Sequence, residues 1–321
     1  MKCDLHVHSI HSGMCTVPLL KRICRESYND PREVYAILKQ KGMDLVTLTD
    51  HDSIGAAEAL RGHSDFFVSE EVTCRMPSGT TVHIGVFDVT ERQHVEIQRR
   101  RDDFVRLLVY LTERRLLFSF NHIFSSLTGR RSADDFAWLE AHVPAMESLS
   151  GQMPAFHNRQ AARLARRLGK SSLAGSDSHV LPSLGSAYTE VPGARNKDEY
   201  LAGLRAKAAL LHGTSGGYFR LTRDVLCITS KMFQERPWTL VFSPLALLVP
   251  LATLATFVDE GLFARRWSTR VGSSRPRADC RVCRGWRVRD GLGTPTNRNI
   301  LQRSGRLCGK FPQPGISFTR P

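Results

Sequence analysis

Short apolar runs alternate with longer amphipathic segments up to about Leu211. Three segments carry apolar residues at helical spacing and predict helices over Pro31–Lys41, Arg99–Arg115 and Asn158–Leu168. Repeated strand-then-helix units predict an α/β fold with parallel strands and outer helices, as a barrel or an open sheet. In either architecture the functional residues collect at the carboxyl ends of the strands. The seven runs of strand length are Cys3–Val7, Leu45–Thr49, Phe66–Val68, Thr81–Val86, Leu116–Phe120, Pro144–Glu147 and Ser172–Ala174.

The pattern changes after residue 236. The segment Pro237–Val258 has twenty-two residues and no charge, and about 20 apolar residues suffice to cross a bilayer. Pro244 and Pro250 would interrupt a straight helix, although membrane helices tolerate proline. We therefore predict membrane contact by this segment, either spanning, re-entrant or in the bilayer plane, and a buried helix or hairpin is the alternative.

The positive charge is concentrated at the carboxyl-terminal end. The chain has a net charge of +14, yet residues 265–321 hold 14 of the 45 basic and 2 of the 31 acidic residues, which leaves +2 for the rest. A nearly neutral body does not have the charge of a nucleic-acid-binding domain. The Arg-rich tail shows no apolar periodicity, so we predict disorder there. Nonspecific nucleic-acid binding or an out-of-frame origin are the open explanations for this tail.

Three regions follow from these patterns: an α/β domain over residues 1–215, a linker and apolar segment over 216–264, and the basic tail over 265–321. The cysteines are scattered and no apolar leader precedes the first strand. We therefore expect a cytoplasmic protein, placed on the inner face of the membrane if the apolar segment binds there. The oligomeric state is not predicted by any of these features.

Six of the predicted strands contain or end in side chains that can bind metal ions. Alternation along the first strand places His6 and His8 on one face, which suits two imidazoles on one metal. Buried ionisable groups are costly unless they are paired or bound to metal, so core packing does not explain six such strands. Imidazole and carboxylate together suit Zn, Mn or Fe. The candidate residues are His6, His8, Asp50, His51, Glu70, Glu71, His83, His122, Asp177 and His179.

The ordered motifs DLHVHS, TDHD, SEEVT, VHIGV, NHIF and GSDSH resemble those of the PHP (polymerase and histidinol phosphatase) family over residues 1 to about 193. The resemblance implies a distorted (β/α)7 TIM-like barrel that holds two or three divalent transition metals at its strand ends. It implies one metal on His6, His8, Glu71 and Asp177, a second on Glu71, His83 and His122, and a third on His51 and His179.

One position departs from the family pattern. Members often have an Asp after the first motif, at the position of Gly13 in this chain, and His11 is the nearest residue that could replace it. The third metal is therefore open. Asp50 is expected to orient a ligand or a water rather than to bind a metal. Glu70 is the alternative to Glu71 as the bridging carboxylate.

The predicted activity is hydrolysis of a phosphoester by a metal-bridged hydroxide. Glu71 and Asp177 would hold the metals, and His51 or His179 would protonate the leaving group. The substrate would be a small phosphorylated metabolite, a nucleotide or an oligonucleotide.

Phosphate binding also calls for a guanidinium group, and Arg130 and Arg131 are the loop candidates for it. Two other functions remain open. Amidohydrolases also begin with HxH, but they use a bridging Lys where this chain has Glu71. The second is a noncatalytic, membrane-associated protein that binds a metal or another ligand.

Overall fold

The computed structural model describes residues 1–18, 20–129 and 131–273. Within those ranges the strands are β1 (Lys2–Cys3), β2 (Ser69–Arg75), β3 (Thr81–Phe87), β4 (Leu117–Phe120), β5 (Ala145–Ser150), β6 (Ser171–Gly175), β7 (Ala187–Glu190) and β8 (Leu210–Gly213). The α-helices are α1 (Pro31–Gln40), α2 (Ala57–Leu60), α3 (Glu91–Gln98), α4 (Phe104–Glu113), α5 (Ala133–His142), α6 (Ala155–Arg167), α7 (Lys197–Arg205), α8 (Tyr218–Glu235) and α9 (Val249–Ser273). Short 3-10 helices cover Ile10–Ser12, Leu181–Ser183 and Pro237–Leu248.

The strands form a five-stranded sheet in the order β2-β3-β4-β5-β6 and a three-stranded sheet in the order β1-β7-β8. Strands β4, β5 and β6 are parallel, as predicted. Strand β3 is antiparallel to both β2 and β4, so the prediction of parallel strands throughout is wrong. Because only Met76–Thr80 separates β2 from β3, the connection is a hairpin, and a hairpin reverses the chain.

Three predicted strands, Cys3–Val7, Leu45–Thr49 and Phe66–Val68, are not full strands in the structure: only Lys2–Cys3 forms β1, and the rest pair through isolated bridges and separate hydrogen bonds. The Thr49 amide donates to the Val7 carbonyl over 2.8 Å, and the Asp177 amide donates to the His6 carbonyl over 2.7 Å. These bonds place residues 6–8 between residue 49 and the end of β6. Among the described residues no single sheet closes on itself, so the (β/α)7 barrel stays a prediction.

The predicted helices form where local signals define their ends. Helix α1 starts after Asp30, whose carboxylate accepts hydrogen bonds from the next turn, and Pro31 occupies the first position. The predicted helix over Arg99–Arg115 is shorter in the structure. Asp103 caps the start of α4, because its side chain accepts hydrogen bonds from two amides of the first turn. A cap inside the predicted range therefore divides it.

The largest apolar core lies between the five-stranded sheet and its helices. Phe120 and Met146 of the sheet contact Leu107 and its neighbours on α4 within one buried cluster. Ala264 and Trp267 of α9 belong to the same cluster, so the second half of α9 packs against the body.

The apolar segment near the carboxyl end is exposed. It forms the 3-10 helix Pro237–Leu248 and continues into α9. By length and composition alone, the stretch Pro237–Arg270 could cross a membrane. Only 6% of the most apolar 18 residues of this stretch are buried. The alternative of a buried helix therefore does not describe it. Residues 218–235, predicted as part of a linker, form α8. The prediction of disorder is wrong for residues 265–273, which form the end of α9 with Trp267 in the core. The rest of the predicted tail, beyond Ser273, lies outside the described residues.

Candidate metal centre

Glu71 lies at the centre of the predicted cluster of histidines. Its Oε2 atom is 3.2 Å from both His6 Nε2 and His51 Nδ1. Its Oε1 atom is 3.5 Å from His83 Nδ1 and 3.3 Å from His122 Nε2. The two oxygens of one buried carboxylate therefore face imidazoles from two different sides.

Asp177 closes the opposite side of the cluster. Its Oδ1 atom lies 3.4 Å from His6 Nε2 and 3.5 Å from both His8 Nε2 and His179 Nε2. Asp177 has a φ of 53° and His122 a φ of 29°, in the left-handed region that side chains other than glycine rarely adopt. Such backbone strain persists where the surrounding structure enforces it, and it is common at functional sites.

Four overlapping sets of three ligand atoms each lie within 4.8 Å of one another. His6, His8, His51 and Glu71 each take part in two of the sets. Within the described part of the chain, neither His11 nor Asp50 belongs to such a set. The sets are His8, His51 and His179; His6, His8 and Asp177; His6, Glu71 and His122; and His51, Glu71 and His83. The structure thus brings all eight predicted ligands together, although it does not assign them to individual metals.

The reversed direction of β3 explains how His83 reaches this cluster. His83 pairs with Thr73 near the carboxyl end of β2, and its carbonyl accepts from the Asn121 amide after β4 over 3.1 Å. Because β3 is antiparallel to its neighbours, the first half of β3 lies beside their carboxyl ends. His83 lies early in β3 and is therefore close to histidines that follow the carboxyl ends of other strands.

Buried polar atoms without a hydrogen-bond partner indicate that the cluster fits metal ions. The ring nitrogens His6 Nε2, His8 Nε2, His51 Nδ1 and His83 Nδ1 and the oxygen Glu71 Oε2 all lack such a partner within the described residues. Native proteins rarely leave so many buried polar atoms unsatisfied, because each one costs free energy. Divalent cations would satisfy them, and imidazole with carboxylate is the donor set of Zn, Mn and Fe.

The pKa shifts of His8 and Glu71 suit metal binding. Burial and the neighbouring His179 lower the pKa of His8 to about 3, so this ring is neutral and can bind a metal. Burial alone would raise the pKa of Glu71, but His6, His83 and His51 outweigh it and lower the pKa well below its usual range. Glu71 is therefore an anion at any ordinary pH.

Burial lowers the pKa of His6, but the carboxylates of Asp177, Glu71 and Glu147 outweigh burial and raise it well above its usual range. A bound metal would therefore displace that proton.

Asp50 acts on the cluster through two serines. Its carboxylate accepts hydrogen bonds from the Ser9 amide over 2.6 Å, the Ser9 hydroxyl over 2.7 Å and the Ser12 hydroxyl over 2.7 Å. The Ser12 Oγ atom also lies 3.0 Å from His8 Nδ1. This arrangement fits the predicted orienting role of Asp50, because the chain of contacts fixes the ring of His8.

Sequence reasoning did not identify Glu147 as a site residue. Its Oε1 atom lies 2.8 Å from His6 Nδ1, and its Oε2 atom accepts a hydrogen bond from the His122 amide over 2.9 Å. One buried carboxylate thus orients two ligands from different strands. The available signal was its position at the end of the predicted strand Pro144–Glu147. Asn121 was also missed, and its amide donates to Glu71 Oε1 over 2.8 Å.

Replacing Glu147 by Gln is expected to weaken metal binding about 10- to 100-fold without unfolding the protein, because orienting partners of metal ligands have effects of that size. The measurement is a competition titration with a fluorescent chelator, using Mn²⁺ or Zn²⁺. Glu140→Gln is the matched control, since Glu140 bonds Arg167 at the surface. Equal affinity of the two variants would contradict an orienting role for Glu147.

The alternative bridging residue, Glu70, faces away from the cluster. Its Oε2 atom lies 2.9 Å from His94 Nδ1 and accepts from Gln98 Nε2 over 2.7 Å, both in α3. Successive residues of a strand point to opposite faces, so Glu70 and Glu71 cannot both face the histidines. The geometry therefore favours Glu71 as the carboxylate shared between metals.

The contacts of Arg131 do not support its predicted role as a ligand of the substrate phosphate. Arg131 is only 6% exposed, and its guanidinium donates to the Thr81 carbonyl over 3.0 Å and to the Thr128 hydroxyl over 2.5 Å. Its two terminal nitrogens donate to the loop and to β3, although its buried Nε lacks a partner within the described residues. These contacts hold the guanidinium inside the fold and away from a substrate phosphate. Arg130 lies outside the described residues.

Helix α9 holds the loop that follows His122. Glu260 Oε1 accepts from the Ser126 amide over 2.8 Å, and Asp259 Oδ2 accepts from the Ser126 hydroxyl over 3.0 Å. Glu260 Oε2 also lies 3.7 Å from Nδ1 of the buried His157. Burial lowers the pKa of His157 to about 4, so this ring is neutral at physiological pH.

His157 is expected to make the protein sensitive to acid. Because its pKa is about 4 in the folded chain and 6.5 ordinarily, the unfolded chain takes up the proton first. The contribution is therefore present above pH 6.5 and is lost as the pH falls towards 4. The expected loss is about 2 kcal/mol at pH 5. Urea unfolding at pH 7 and pH 5 measures it.

His157→Gln should reduce the pH dependence of the free energy of unfolding. The matched control, His63→Gln at an exposed histidine, should show the same pH dependence as the wild type. An unchanged pH dependence in His157→Gln would show that other groups cause the acid sensitivity.

Part of the chain is similar to a described family and to a curated relative. Residues 155–209 match the family model described as PHP-associated, and this range contains Asp177 and His179. A relative from Methanocaldococcus jannaschii, the uncharacterised protein MJ1587, is 32% identical over 88 residues, which are 27% of this chain and half of that relative. The chain thus spans about half the length of the curated relative it matches.

The fold of this chain is similar to that of a solved structure. The crystal structure of PsfC from Pseudomonas syringae has a TM-score of 0.50 at 15% identity, over 73% of this chain and 98% of PsfC. A lesion-specific endonuclease from Pyrococcus furiosus has a TM-score of 0.44 at 17% identity, over 64% of this chain and 56% of the endonuclease. At such identities the likeness concerns the fold alone.

Proposed function

We propose that this PHP-family chain is a metal-dependent phosphoesterase. One observation carries the proposal: ligand atoms from separate strand ends converge on Glu71, and the buried ring nitrogens among them lack hydrogen-bond partners. The order of the metal-binding motifs along the sequence also supports a metal-dependent phosphoesterase. The hydrogen bonds that join residues 6–8 to Thr49, Asp177 and Ser178 support a distorted barrel as the frame of this site.

The cluster is proposed to hold two or three divalent transition metals. Glu71 would be shared, with His6, His8 and Asp177 on one side and His83 and His122 on the other. His51 and His179 lie close to His8 and would hold a third metal with it. Bound metals would supply Lewis acidity towards a phosphoryl oxygen and would lower the pKa of water.

The residues themselves suggest how the leaving group is protonated. Burial lowers the pKa of His179, but its hydrogen bond with Asp177 and the charge of that carboxylate outweigh burial, so the pKa is raised. Burial lowers the pKa of His51 well below its usual range. In a centre of two metals, which leaves His179 without a metal, His179 would therefore carry a proton more readily than His51. Its side chain is 20% exposed, which lets it reach a bound ester.

A substrate panel tests the proposed function. Full-length protein with Mn²⁺, Zn²⁺ or Fe²⁺ should hydrolyse at least one class among aryl phosphates, phosphodiesters, nucleotides and short oligonucleotides. The readout is released phosphate or alcohol. Hydrolysis of diesters without monoesters would define a phosphodiesterase. Metal-loaded protein that turns over none of these esters would contradict the proposal and favour the noncatalytic alternative.

Hydrolysis of C–N bonds is the other enzymatic candidate, and amide substrates belong in the same panel. The central position argues against it. Amidohydrolases use a bridging lysine, whereas Glu71 occupies the middle of this cluster and contacts imidazoles through both oxygens.

A further inference from the structure

Residues 237–258 expose large apolar side chains to solvent. Leu247 is 83% exposed and Val241 is 72% exposed. We call these side chains the C-terminal apolar face, which comprises Trp238, Leu240, Val241, Phe242, Leu245, Leu247, Leu248, Leu251, Leu254 and Val258. Soluble proteins rarely expose this much apolar surface in one segment unless it binds a partner or a membrane.

The inner side of the same segment is polar. Thr239 is fully buried, and the Oγ1 atom of the buried Thr253 lies 2.7 Å from Thr222 Oγ1 on α8. The segment therefore turns hydroxyl groups towards the body and leucines towards solvent. A helix that packs on a soluble core has the opposite arrangement, with its apolar side chains facing the body. The exposed leucines are therefore not part of the hydrophobic core.

The hydrogen bonds of this segment favour its attachment to the surface of a membrane over its crossing of the bilayer. The Tyr218 hydroxyl donates to the Pro250 carbonyl over 3.1 Å, and Glu260 holds the Ser126 amide over 2.8 Å. A helix that crossed a bilayer would have to break such bonds and leave their polar atoms in hydrocarbon. A segment lying in the bilayer plane keeps them and buries only its outer side.

The charged residues on both sides of the segment indicate which kind of surface it binds. Lys231 and Arg236 precede the uncharged stretch, and the exposed Arg265, Arg266 and Arg270 follow it. The acidic residues nearest to it are bonded within the body: Glu235 to Arg25, and Asp259 and Glu260 to Ser126. The sequence from 265 onwards carries 14 basic and 2 acidic residues. A second copy of this chain would bring like charges together. An anionic bilayer complements the apolar face and its basic flanks at once.

We propose that the C-terminal apolar face lies in the plane of an anionic lipid bilayer and holds the metal-binding body at its surface. Vesicle flotation of the full-length chain tests this. The protein should float with vesicles of phosphatidylcholine containing about one quarter phosphatidylserine, and less with phosphatidylcholine alone. Leu247→Glu with Leu251→Glu should lower the partition coefficient more than tenfold.

The matched control places the same charges on exposed apolar positions elsewhere. Val95→Glu with Leu210→Glu changes one residue of α3 and one of β8, which are 46% and 51% exposed, and this variant should bind vesicles as the wild type does. Arg265→Ser with Arg266→Ser should weaken binding to anionic vesicles about fivefold for each arginine. Metal content equal to that of the wild type shows that each variant is folded.

Three outcomes would overturn the proposal. The first is wild-type protein that floats with neither vesicle. The second is equal loss of flotation in the Leu247/Leu251 and the Val95/Leu210 variants. The third is a dimer in light scattering that Leu247→Glu with Leu251→Glu dissolves while vesicles remain unbound, which would assign the face to a second copy. None of these outcomes depends on turnover, so failure here is distinct from failure of the proposed activity.

Discussion

Glu71→Gln is expected to lower turnover of any ester substrate at least about a thousandfold, because loss of metal-based charge stabilisation costs several kcal/mol at the transition state. Glu71 is completely buried; its Oε1 lies within 3.5 Å of two imidazoles and its Oε2 within 3.5 Å of three. The amide keeps the size of the side chain but removes the charge. The metal affinity should fall with the activity.

Glu70→Gln is the matched control for this change. Glu70 is the preceding residue and is equally buried, yet it contacts His94 and Gln98 on α3. That variant should keep its metal content and its activity, even where its stability is reduced. If Glu70→Gln lost the metals and Glu71→Gln kept them, the shared carboxylate would have been assigned to the wrong residue.

Removal of the metals should abolish turnover and lower the melting temperature. Eight ligand side chains in four overlapping sets suggest two or three ions per chain. A ligand at about one hundred times its dissociation constant stabilises the folded state by about 2.7 kcal/mol. For a chain of this size that corresponds to a shift of several degrees. Elemental analysis and thermal melts before and after chelation measure both effects.

Mn²⁺ is the most informative ion for adding metal back, because the cysteine sulfurs elsewhere in the chain prefer softer metals. The melting temperature of the wild type should rise with added Mn²⁺, whereas that of Glu71→Gln should rise much less. A folded, purified wild-type protein with a metal content near zero, and with no response to added Mn²⁺, would exclude the proposed centre.

Local sequence signals predicted much of the fold. Helix α1 was predicted to within one residue, because Asp30 and Pro31 define its start and the apolar spacing of Val34 and Leu38 defines its buried side. Strand β3 was likewise predicted to within one residue. These features depend on residues that are neighbours in the chain, and short-range physics is sufficient for them.

Long-range pairing was less predictable. The antiparallel placement of β3 contradicts the prediction of parallel strands, and that placement brings His83 to the cluster. Glu147 looked like the end of an ordinary strand, since nothing nearby in the sequence points to His6. Arg131 looked like a loop cation, because the carbonyls that surround it come from Thr81 and other residues of the folded chain.

The sequence by itself determined which chemical groups are available: six imidazoles, Glu71 and Asp177, placed by strand alternation and by the order of the motifs. It also determined that residues 237–258 are uncharged and that basic residues follow them. Only the tertiary structure decided that Glu71 rather than Glu70 faces the histidines, that Glu147 orients two of them, and that the leucines of residues 237–258 point outwards. The physical reason is that side-chain identity is a local property, whereas burial and pairing depend on segments far apart in the chain.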